Sequence, residues 1–111
     1  MSLAGTELLE DKYVLGNKAE IATFLDEHPK LISALIETYE QIRNIFKENI
    51  LEICLSLNKD ADEDYTGISV IIRTPLRSEN ALAFLDKFDE EWWLDLDAEI
   101  RNAVTVIVRS V

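Results

Sequence analysis

Asp60, Asp62 and Asp64 alternate with single residues, the spacing with which a calcium-binding loop opens its oxygen ligands. The rest of that loop is missing. Tyr65 stands where the turn needs glycine, and Ile71 where a bidentate glutamate would close the coordination shell. These residues read as a solvated acidic loop. His28 is the single histidine and directly precedes Pro29. A general base needs an orienting partner and a group to act on, and the sequence sets neither beside it. Helix-end packing or capping is its expected role. One histidine and one cysteine, Cys54, cannot assemble the three or four ligands of a zinc site. Gly5, Gly16 and Gly67 are scattered and build no phosphate-cradling loop. Acids are abundant enough to suggest glycosidase-like pairs, but that chemistry also needs an enclosing pocket. The expectation is a non-enzymatic protein without metal or cofactor.

Charge is laid out unevenly. The 111-residue chain carries a net charge of −11, with 48% apolar and 30% charged residues, the balance of one folded domain. Residues 60–64 hold four acids and no base, and residues 86–99 hold seven acids against Lys87. The remainder is close to neutral, with eleven acids and ten bases. Such a chain is repelled by nucleic-acid phosphates and anionic membranes and attracted to basic protein partners. No apolar run approaches the ~20 residues of a membrane span, and no basic start joined to an apolar stretch is seen, so a secretory signal is not expected. A single cysteine excludes an internal disulfide, so the expected setting is the reducing cytoplasm.

The elements that must position these residues follow from periodicity. Residues 1–16 are weakly patterned and read as an N-terminal arm to a single domain spanning 1–111. Asn17 and Glu20 have capping-box spacing, opening a helix that carries Ile21, Phe24 and Leu25 and ends near His28. Pro29 starts a second helix, to about Lys47, with Ile32, Leu35, Tyr39, Ile42 and Phe46 on one face. Leu51 to Leu57 and Ile68 to Arg73 alternate as two strands. Ser78 is the expected cap of a third helix with the stripe Ala81, Phe84, Leu85, Phe88 and Trp92, and Ala103 to Val111 forms the last strand. The resulting fold class is α+β in two layers: a helical hairpin, then a small three-stranded sheet with one crossover helix, in the order ααββαβ.

Two surfaces are then candidates for recognition. On a helix Trp93 is rotated about 100° from Trp92, away from the stripe. Trp92→Ala should therefore destabilise much more than Trp93→Ala, and an outward Trp93 among acids is a candidate anchor. If helices cover the sheet face bearing Val70 and Val106, the other face presents Cys54, Ile71, Ile107, Arg73, Arg109 and Glu52. An apolar centre with charged neighbours suits a partner or a second copy, and a symmetric homodimer through this face or a strand edge is expected. The alternative is that the N-terminal arm covers the face.

Phe24-Leu25-Asp26-Glu27-His28-Pro29-Lys30-Leu31-Ile32, Tyr39 to Phe46, Arg73-Thr74-Pro75-Leu76 and above all Phe88-Asp89-Glu90-Glu91-Trp92-Trp93-Leu94 resemble stretches in a group of small uncharacterised prokaryotic proteins. The resemblance covers residues 20–111 and implies a stand-alone cytoplasmic domain, with no catalytic residues to carry over. The expected function is a small acidic protein-interaction module, of which an antitoxin-like neutraliser of a basic toxin is one form. The alternatives are a small-molecule or anion binder using Arg73 and Arg109, or an accessory subunit of an enzyme.

Overall fold

Asn17 caps helix α1 (Lys18–Glu27) as its spacing from Glu20 predicts, although the return bond comes from its side-chain amide rather than its backbone N–H. The Glu20 N–H donates to Asn17 Oδ1 at 3.3 Å, and Asn17 Nδ2 donates to Glu20 Oε1 at 3.0 Å. This is the computed structural model of the chain, in which residues 9–60, 62 and 65–110 are described. α1 buries Ile21, Phe24 and Leu25 and stops at His28, whose ring stacks on Phe24 with centroids 4.3 Å apart. His28 Nδ1 lies 2.9 Å from the Phe24 carbonyl oxygen, so the histidine serves the helix end. Pro29 disfavours helical geometry in His28 and leads into α2 (Lys30–Phe46). α2 buries Leu31, Ala34, Leu35, Thr38, Ile42 and Phe46 along one stripe. The buried Thr38 hydroxyl donates to the Ala34 carbonyl at 2.7 Å, so it enters the core satisfied. α2 ends at Lys47, whose φ of 53° is a conformation that disfavours a Cβ.

Among the described residues the sheet has four strands rather than three. Strands β1 (Val14–Leu15), β2 (Glu52–Asp60), β3 (Tyr65–Thr74) and β4 (Val104–Ser110) lie side by side in chain order. β1 and β2 run parallel, β2 and β3 antiparallel, and β3 and β4 parallel. The expected ααββαβ order therefore gains a leading strand, because two residues are too few for alternation to register. The reading of residues 1–16 as an arm also changes for its described part. Leu9 is fully buried, Tyr13 is nearly so, and the Tyr13 hydroxyl donates to the Leu35 carbonyl at 2.6 Å. Gly16 N–H donates to Leu55 O at 2.9 Å. A Cβ at Gly16 would stand 3.2 Å from that same oxygen, so glycine permits the close approach. Val14–Leu15 extend the sheet sideways beside β2, while Leu9 and Tyr13 enter the core on the helical side. Residues 1–8 lie outside the described part.

Helix α3 (Ser78–Glu91) begins on Ser78 itself. Arg77 takes the cap position without a side-chain bond, so the expected serine cap is not formed. The helix breaks at Trp92 (φ −145°, ψ −50°), Trp93–Asp95 make one 3-10 turn, and a short helix α4 (Ala98–Ala103) precedes β4. The last strand thus starts at Val104 rather than Ala103. All stripes meet in one core: Ile21, Leu25, Leu35, Ile42, Phe46 and Phe88 from the helices pack with Ile53, Leu55, Ile68, Val70, Ile72 and Val104 from the strands. Every one of those sheet residues belongs to one alternation set, so the helices form one layer and the sheet the other. None of the described helices is long and apolar enough to cross a membrane.

Candidate interaction surface

The strand register sorts the uncovered face of the sheet, the one that no described helix covers, into rows. Val14 is paired with Cys54, Cys54 with Ile71 and Ile71 with Ile107, so one apolar row crosses all four strands. On one side of it run Ser56, Ser69 and Thr105, and on the other Glu52, Arg73 and Arg109. None of Val14, Cys54, Ile71 and Ile107 joins the core; Val14 is 51% exposed and the other three are half-buried. The covered face, by contrast, holds the fully buried Leu55, Ile68, Val70 and Ile72, with Val106 packed against them. Val70 and Val106 therefore share the covered face, and Ile71, Ile107, Arg73 and Arg109 the open one. Val14 was missed because its strand was missed, although Tyr13 and Leu15 pointing inward would have set it outward.

Side-chain bonds tie the polar rows down. Arg73 donates to Glu52 Oε2 at 3.0 Å, a cross-strand ion pair that leaves one net cation, from Arg109, along that row. Asn58 Nδ2 donates to Ser69 Oγ, which accounts for a serine that is almost fully buried. Burial pushes the Cys54 thiol above its ordinary pKa; the Glu52 carboxylate adds to the rise and the Arg73 guanidinium opposes it. The thiol is thus the protonated, poorly nucleophilic form, and Cys54 serves the row as a small apolar side chain.

No protein family, curated protein or solved structure matches this chain.

The aromatic segment lies away from that face. The break in α3 brings both indoles onto Phe88, with ring centroids 5.6 Å away for Trp92 and 5.8 Å for Trp93. Both tryptophans are half-buried against the core, so the helical rotation that would have turned Trp93 outward does not apply. The exposed apolar side chain of the segment is Leu94, at 57%. Of the aspartates with calcium-loop spacing, Asp64 and the Asp60 side chain lie outside the described part. Among described residues no cluster of three or more metal-ligating side chains forms. One cationic cluster was not anticipated. Lys12 and Arg43 both approach the Tyr39 ring, at 5.0 and 5.9 Å from its centroid, at a concavity of about 240 Å³ between β1 and the end of α2. Arg43 lies one helical turn from Tyr39, but Lys12 reaches the ring only through the unforeseen entry strand.

The acidic helix α3 carries one ionisation effect of its own. Burial, and then the neighbouring Asp86 charge, hold the Asp89 carboxyl above the usual carboxylate range. The folded protein therefore binds that proton more tightly than the unfolded chain. Its stabilising contribution is full below the ordinary carboxylate pKa and is lost as pH rises through the raised one. Asp89→Asn is expected to raise the melting temperature slightly at neutral pH and to leave it unchanged in acid. A gain of equal size at both would show that ionisation is not the cause.

Proposed function

We propose that this protein is a small acidic, non-enzymatic interaction module that seats a protein partner on the uncovered sheet face. The observation that carries this reading is the row Val14, Cys54, Ile71 and Ile107, which crosses four strands between two polar rows. An apolar centre inside a polar rim is the layout of protein–protein interfaces. The net charge of −11 favours a basic partner, since long-range attraction speeds encounter while the apolar row holds the complex. An antitoxin-like neutraliser of a basic toxin is one concrete form of this module.

Ile71 is the side chain to test, because it is half-buried within the row and lies outside the core cluster. A basic protein recovered from the source organism with the unmodified chain should bind Ile71→Asp at least about tenfold more weakly, since the variant would bury an unpaired carboxylate. Far-UV circular dichroism of the variant should stay unchanged. Equal affinity for both chains removes the face from the interaction.

A further inference from the structure

We infer that β4 is the edge along which a second copy of this chain adds, the two β4 strands pairing antiparallel about Ile107 into one eight-stranded sheet. The two edges of the sheet differ. β1 is two residues long, and a short edge strand offers little to pair with. β4 is the other terminal strand and runs for seven residues, Val104–Ser110. It contains no proline, lysine or acid, and Arg109 is its one charge, so the usual devices that discourage edge pairing are absent. In a chain of net charge −11, this acid-free strand is also where two copies can approach closely.

The strand is self-complementary about its centre. Ile107 is the midpoint of Val104–Ser110, and Val106-Ile107-Val108 reads the same in both directions. A two-fold axis through Ile107 therefore pairs the full length of both strands. It sets Val106 against Val108 of the second copy, and Thr105 against Arg109 of the second copy, so the two arginines never face each other. On the helical side Leu82, 56% exposed, lines a concavity of about 180 Å³ with Ser78, Ala81, Val108 and Ser110. Val108 and Val106 stay only half-buried although they face the core, and a neighbouring copy would complete their cover. This pairing leaves Ile71 uncovered, so it does not depend on the partner-binding reading above.

Sedimentation equilibrium on the purified protein should give a concentration-dependent dimer. Thr105 is exposed, so its substitution tests the pairing without disturbing the core. Thr105→Arg should raise the dimer dissociation constant roughly tenfold by creating two like-charged cross-strand pairs, and Thr105→Glu should lower it several-fold by creating two opposite ones. The Cys54→Ser/Ile107→Cys variant should oxidise to a covalent dimer, since directly opposed strand residues lie within disulfide reach. A mass fixed at the 12.7 kDa chain value at every concentration overturns the inference. So does a shift of the same sign in both Thr105 variants, or a failure of the cysteine variant to cross-link. A monomer that still loses its basic partner on Ile71→Asp would overturn the edge pairing and leave the face reading standing.

Discussion

Phe88→Ala is expected to lower the unfolding free energy by about 3–5 kcal/mol, the usual cost of emptying a buried aromatic site. Phe88 is fully buried and supports both indoles, so its loss opens a cavity that Trp92 and Trp93 border together. A domain of this size holds only about 5–15 kcal/mol in total, so the variant should unfold at a much lower denaturant midpoint. Trp92→Ala and Trp93→Ala should each cost less than Phe88→Ala and should resemble one another, because both rings are half-buried on the same phenyl ring. Intrinsic fluorescence provides a second reading, since both fluorophores border the lost ring. A Phe88→Ala midpoint within the scatter of ordinary surface substitutions would contradict the placement of this cluster.

Leu9→Ala should cost about 2–5 kcal/mol, as for other large aliphatic side chains removed from a core. Leu9 has no exposed surface and belongs to the same cluster as Leu35 and Leu55. Its carbonyl accepts the N–H groups of Lys12 and Tyr13 at 3.0 and 2.8 Å, which turn the chain toward β1. The loss should therefore loosen the entry strand as well as the core beneath it. Urea titration of the variant decides. A midpoint equal to that of the unmodified chain would mean that residues 9–16 are an appendage after all.

That contrast explains which parts of the fold are legible in the sequence. The stripe of α2 repeats over seventeen residues and the alternation shows over Leu51 to Leu57 and Ile68 to Arg73, long enough for period 3.6 or 2 to stand out. β2 runs on to Asp60 and β3 begins at Tyr65, where polar residues hide the pattern. The faces of the sheet followed from that alternation, and with them the placement of Ile71, Arg73, Ile107 and Arg109. β1 and α4 are two and six residues long, too short to display a period. The break at Trp92 carries no proline or glycine to announce it, so the stripe of α3 extrapolates past its true end at Glu91. Leu9 and Tyr13 are buried by contacts with Leu35 and its neighbours, far along the chain, and nothing in residues 9–16 alone signals that. The open sheet face was thus visible in its three long strands and invisible in its fourth.

The directions of the strands bear on where a ligand could be received. In a wholly parallel sheet the carboxyl ends of all strands open on one rim, and the loops that follow them share a crevice there. Here β1 and β2 deliver their carboxyl ends to one rim, and β3 and β4 deliver theirs to the opposite rim. Gly16–Asn17 and the carboxyl end of β2 therefore lie at one end, while residues 75–77 and the carboxyl end of β4 lie at the other. No single rim gathers the loops from every strand. The architecture divides its loops between two poles, with the open sheet face and the β4 edge running between them.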